Sequence, residues 1–353
     1  MSRQDGLAAL HLDMPPRVPR TEYSAHTHWR LVNAVCGTDL TPQSPKSDRQ
    51  AGSLAFRRAW DYCFNWSILI DGKIFGDLKT DMGHAEYADG GGDKRSTVTC
   101  PFTSPEQVLV FDFDQAYGRR DPAQLRADFE AHYQAQDQQA GQDWVPMTGI
   151  YVTLISGLLE IFGWDMLLMA MGTDPRAFGE LTNRYTKWIA QYFDALAAAD
   201  VPVVMVHDDI VWTSGPFCNP DWYRQFVFPN HRRLIQPLIE SGKRVLFTSD
   251  GDYSMFIDDI AANGVHAMVM EPMTDLGAVA DAYGDKLALV GNVDTRVLLN
   301  GSRQQIRGEV DRCMATAKHC PGFILAVGNH IPSNTPVENA LYYNEVYNEL
   351  AKR

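Results

Sequence analysis

Short apolar runs of strand length recur through the second half of the chain, at 145–150, 201–206, 244–247, 265–270, 287–290 and 323–327. Between them lie stretches with helical spacing of apolar residues, at 174–198, 221–241, 275–283 and 302–319. Continuously apolar strands alternating with amphipathic helices predict a parallel sheet covered by helices. An earlier run at 66–70 raises the strand count to seven, and 108–113 or the loop before it offers an eighth. This pattern fits either an open doubly wound sheet or a closed barrel.

The first 55 residues are polar and turn-rich and read as an arm and loop, with a helical patch around 28–35. The glycine-rich stretch 85–105 is too long for a plain connector and reads as a functional or mobile loop. After it, Thr103 or Ser104 is placed to cap a helix that has Pro105 in its first turn. The longest apolar stretch, 150–171, is broken by Glu160, Gly163, Trp164 and Asp165, so it is expected to be a core helix with one exposed end. Met166, Met169 and Met171 are expected to fill core.

Length and composition narrow the class further. At 353 residues and 45% hydrophobic content, the chain fits one barrel with insertions or two smaller domains. Its net charge of −13 makes nucleic acid and anionic membrane poor partners. Six scattered cysteines without a CxxC pair, and no export signal at the start, point to a reducing cytoplasm. Neither GxGxxG after an early strand nor GxxxxGK[ST] occurs, so the nucleotide-binding forms of an open sheet lose their support.

The candidate chemistry lies just past the apolar runs. The run ending at 206 is followed by His207, Asp208 and Asp209, and the next by Thr248, Ser249, Asp250 and Gly251. Later runs lead into Glu271, then Asn292 and Asp294, then Asn329 and His330. In a barrel the carboxyl ends of the strands meet at one mouth, where barrel enzymes keep their chemistry. Ionisable groups directly after VPVVMV are costly near a core unless water, metal or substrate meets them. Asp221, Asp252 and Asp275 have the simpler reading of helix caps or solvated loop residues. Asp81 and His84, in the motif TDMGHAEY, are further candidates.

Taken together, HDDIVWTSGPFCNPDWYRQFVFPNHRRL, RVLFTSDGDY, LALVGNVDTRVLLNGS and ILAVGNHIPSNTPVEN resemble the uroporphyrinogen decarboxylase superfamily, in its branch of corrinoid-linked methyltransferases. VPRTEYS, TDMGHAEY and FTSPEQVLVFD add weaker support. The resemblance implies a single (β/α)8 TIM barrel at 56–353, preceded by the arm at 1–55 and carrying a long inserted loop. It implies a methyltransferase working between a small methylated substrate and a corrinoid (cobalamin) on a separate carrier protein, with a homodimer among the expected assemblies. Asp208, Asp250 and His330 are then the expected catalytic groups. His207, Asp209, Tyr151, Glu271, Asn292, Asp294, Asn329, Asp81 and His84 are expected to bind substrate. The thiolate ligands of the branch are missing, since its His-x-Cys positions read Thr248 and Asp250 and its late cysteine reads Asn329. A divalent metal such as zinc would instead be held by His207, Asp208, Asp250 and His330. Porphyrinogen decarboxylation is the alternative. However, the arginine-rich segment of those enzymes is reduced here to Arg17 and Arg20, a poor clamp for a many-fold carboxylate. A barrel that binds a ligand without turnover is a third reading.

Overall fold

Strands form where the sequence is apolar on both faces. The computed structural model describes residues 3–82 and 97–353, and the chain divides into two compact units. The unit made of 67–134 and 147–265 contains β1 (Thr148–Ile150), β2 (Val203–His207) and β3 (Arg244–Ser249). These pair in parallel, with Gly149 beside Met205, Met205 beside Leu246 and His207 beside Thr248. Gly149 is required by the close approach of its neighbour, because a Cβ there would lie 2.2 Å from the Met205 carbonyl oxygen. A parallel bridge from Ile70 to Ile150 extends the set on its other side.

The second unit comprises 1–66, 135–146 and 266–353. It holds β4 (Ala267–Met270), β5 (Ala288–Val290) and β6 (Phe323–Ile324), again parallel. Single bridges continue the pairing from Leu325 to Arg20, from Arg20 to Tyr62 and from Phe64 to Val145.

All six apolar runs of the second half of the chain therefore become strands, and helices follow them in the β/α order expected of a barrel. The class is α/β with parallel strands. The two remaining candidates differ from expectation. Around 66–70 the described pairing is limited to the bridge at Ile70. The run 108–113 is not a strand, because it spans the end of the helix Pro105–Leu109 and the start of the helix Phe113–Tyr117. There Phe111 and Phe113 pack edge-on, and Phe111 also meets Phe162, so the apolar run serves a helical corner. Ser104 and Pro105 do open the first of these helices.

The apolar stretch beginning at 150 supplies the helix Ile155–Thr173, two-thirds of which is buried, as a core helix should be. Met166 and Met171 are buried in it, whereas Met169 is exposed rather than core. Gly163 interrupts this helix at φ 71° and ψ 165°, a conformation essentially restricted to glycine. A Cβ there would also press to 3.1 Å from the Thr80 methyl group. Gly163→Ala is expected to destabilise the protein by roughly 1–3 kcal/mol, to be read as a lowered midpoint in urea with an unchanged slope.

Candidate active site

The site in the first unit is built at the carboxyl end of β2. Apolar residues 203–206 bury the strand, and His207 ends it, 3% exposed. Its ring stacks on Tyr151, with centroids 3.7 Å apart and planes within 9°. Nε2 lies 3.2 Å from Asp209 Oδ1, and Nδ1 lies 3.3 Å from the Tyr151 carbonyl oxygen. Each ring nitrogen thus faces an acceptor, the arrangement an imidazolium requires. Burial alone would push the imidazole down. The Asp209 carboxylate, reinforced by Asp250 and Asp208, outweighs it and raises the pKa to about 9.

Asp209 Oδ1 also accepts the Asp250 backbone N–H at 2.9 Å, which ties the loop after β3 to the loop after β2. Ligand atoms of His207, Asp209 and Asp250 all lie within 4.8 Å of one another. Thr248, the register partner of His207, has a buried hydroxyl without a hydrogen-bond partner. A cavity of about 270 Å³ opens beside the group, lined among others by Lys79, Tyr151, Ser156, Leu159, Glu160 and Asp209. Its ammonium groups are already engaged, Lys79 with Glu160 at 2.6 Å and Lys73 with Asp71 at 2.7 Å.

Asp208 is placed differently from the expectation. It is fully buried, and both carboxylate oxygens are taken, Oδ1 by the N–H groups of Leu154 and Ser156 and Oδ2 by His231 Nε2. Successive side chains of an extended segment point to opposite faces, so Asp209 shares a face with His207 and Asp208 does not. Asp209 therefore stands in the ligand cluster where Asp208 was expected. Asp81 accepts from the Thr99 N–H and hydroxyl, while His84 lies outside the described residues.

The second unit assembles the remaining candidates. Asn329 donates to Glu271 Oε1 at 2.6 Å and accepts the His330 N–H at 2.7 Å. The His330 carbonyl accepts from Thr295, and its ring lies 5.8 Å from Tyr23, which stacks on Trp66. Asn292 is fully buried and donates to the Glu271 and Thr274 carbonyls, and Arg312 donates to its side-chain oxygen. Asp294 caps the helix Thr295–Asn300 and grips Arg296. Burial opposes its ionisation, but Arg296 prevails and holds the carboxyl below the ordinary range. The cap takes Oδ1 and the Arg296 guanidinium takes Oδ2.

Several residues escaped the sequence pattern. Glu22 is fully buried, with Oε1 accepting from the Tyr343 hydroxyl and Oε2 from the Val327 N–H. His26 is pushed down to about 3 by burial, then by Arg57 and His330. Neither carries an apolar-run signal, since both lie in a polar stretch that pairs through single bridges. Ser156, whose hydroxyl accepts the Asp209 N–H, and His231 were equally silent.

A family model described as uroporphyrinogen decarboxylase (URO-D) matches residues 127–350. The uroporphyrinogen decarboxylase of Chromohalobacter salexigens is 29% identical over 185 residues, covering 51% of this chain and 50% of its own. That of Carboxydothermus hydrogenoformans is 29% identical over 210 residues, covering 59% and 58%. The chain thus spans about half the length of the curated relatives it matches. Among solved structures, a methyltransferase from Methanosarcina mazei superposes with a TM-score of 0.61 over 98% of both chains at 18% identity, which shows a shared fold.

Proposed function

The chain belongs to the uroporphyrinogen decarboxylase family, and from that premise we propose that it is a methyltransferase working between a small methylated compound and the corrinoid of a separate carrier protein. The observation that carries this reading is the convergence of His207, Asp209 and Asp250, of which Asp209 lines a small cavity whose lysines are already paired. A cavity of about 270 Å³ falls just below the ordinary range for ligand sites. Decarboxylation of a porphyrinogen calls for guanidinium groups to hold many carboxylates. The two N-terminal arginines are otherwise occupied. Arg20 is 1% exposed, lies between the Trp60 and Tyr347 rings, and donates to the Trp60 carbonyl. Arg17 donates to Asn348.

In this reading the methyl group leaves its heteroatom without the bonding electron pair, and the His207–Asp209 pair returns a proton to that heteroatom. Tyr151 fixes the imidazole plane by stacking, and Ser156 fixes Asp209 through its backbone. As an alternative to that proton transfer, one imidazole and two carboxylates would fit a divalent ion such as zinc with an open position. Such an ion would supply Lewis acidity at the heteroatom, and uptake would release the His207 proton.

The test is anaerobic incubation with a reduced corrinoid carrier and a panel of O-, N- and S-methylated donors, following the corrinoid spectrum and the metal content of the purified protein. Conversion to the methylated corrinoid is expected with at least one donor. Formation of coproporphyrinogen from uroporphyrinogen, with no spectral change across the panel, would establish the decarboxylase instead.

A further inference from the structure

We infer that His231 is a positioning residue for this site, acting through Asp208 to hold the loop after β1 against the end of β2. It rests on the proposed reading only for what the site does, since the geometry belongs to the chain whichever chemistry it performs. Asp208 and His231 are both buried to within 1% and lie 2.6 Å apart. The ring is enclosed by Phe228 and Phe247, and its Nδ1 has no hydrogen-bond partner, so water is kept away from the pair. The carboxylate accepts and the Nε2 proton donates, which fixes the tautomer.

The free oxygen of that carboxylate is spent on the main chain. Oδ1 accepts the Leu154 N–H at 3.1 Å and the Ser156 N–H at 2.7 Å, where the helix Ile155–Thr173 begins and its first N–H groups lack helical partners. No side chain of the cap residue Leu154 does this work locally. Ser156, held in this way, accepts the Asp209 N–H at 2.7 Å. The same loop carries Tyr151, which stacks on His207. A buried carboxylate oxygen deprived of its donor is left without a partner, and the side chain turns to find another. That turn releases the clamp on Leu154 and Ser156, and with it the placement of Asp209 and Tyr151.

Amide hydrogen exchange on the full chain tests this without any assay of turnover. In His231→Leu, the Leu154 and Ser156 amides are expected to exchange roughly 10-fold to 100-fold faster than in the parent, while the helix Arg303–Ala317 in the other unit is unchanged. His231→Gln, whose amide can reach where Nε2 lies, is expected to restore the protection. His231→Asn, whose amide stops short, replaces the Leu variant should that one fail to fold, and is expected to match it. Unchanged exchange at 154 and 156, or loosening by Gln as large as by Leu, overturns the inference. With a methyl donor in hand, kcat is expected to fall in the Leu variant while KM holds. A dead enzyme panel with the exchange pattern intact would refute the methyl-transfer reading and leave the positioning role standing.

Discussion

Asp209→Asn is expected to lower turnover by roughly 10²–10⁴-fold while leaving the fold intact. The substitution keeps the shape and an oxygen for the Asp250 N–H but removes the charge 3.2 Å from His207 Nε2. With that charge gone, burial of the ring dominates, and the His207 pKa falls from about 9 to or below its ordinary 6.5. At pH 7.5 the imidazole is then mostly neutral and a far weaker acid toward the departing heteroatom. The raised pKa also links to stability. The folded chain holds a proton between pH 6.5 and about 9 that the unfolded chain releases. That contribution is fully present below pH 6.5 and is lost as pH rises through 9, an effect on the order of 3 kcal/mol. In the Asn variant the decline between pH 6.5 and 9 should vanish. Imidazole NMR titration and urea unfolding at pH 6 and pH 9.5 read the two effects. Should His207 still titrate near 9 in the variant, Asp209 is not what holds its proton.

The parts of this design that were legible in the sequence are those where one physical signal dominates. A parallel strand buried on both faces has to be apolar throughout, so 203–206 and 267–270 announced themselves. Caps were equally plain, as with Asp275 on the N–H groups of Gly277 and Ala278. By contrast, the segment containing Arg20 and Glu22 pairs with Leu325 and Tyr62 through single bridges, and its side chains are stabilised by aromatic rings and a tyrosine hydroxyl from distant sequence. No periodicity exposes such a segment. At the site, the triplet His207-Asp208-Asp209 was visible as chemistry, but its division of labour was not. Which carboxylate faces the cavity depends on the alternation of an extended backbone, and which is hydrogen-bonded internally depends on His231, 23 positions away.

Glu22→Gln is expected to stabilise the protein at pH 8 and to leave it nearly unchanged at pH 4. Burial, opposed by Arg20, raises the Glu22 carboxyl from 4.5 to about 7. Between those values the folded chain binds a proton that the unfolded chain has released, so stability falls as pH rises through the interval. Above pH 7 the folded state carries the full cost of a buried carboxylate, about 3 kcal/mol. Glutamine avoids it. Its carbonyl oxygen can accept the Val327 N–H, and its amide can donate to the Tyr343 hydroxyl, which rotates to accept. The gain at pH 8 should therefore approach the same 3 kcal/mol, and the slope of stability between pH 4.5 and 7 should flatten. Urea unfolding of both proteins at pH 4.5, 6 and 8 measures it, and equal slopes would mean that Glu22 is ionised throughout. Since Val327 leads directly into Gly328, Asn329 and His330, an ionising Glu22 alters the charge held against the backbone that presents those residues. Their amide NMR shifts should follow the same titration near pH 7 in the parent and lose it in the glutamine variant.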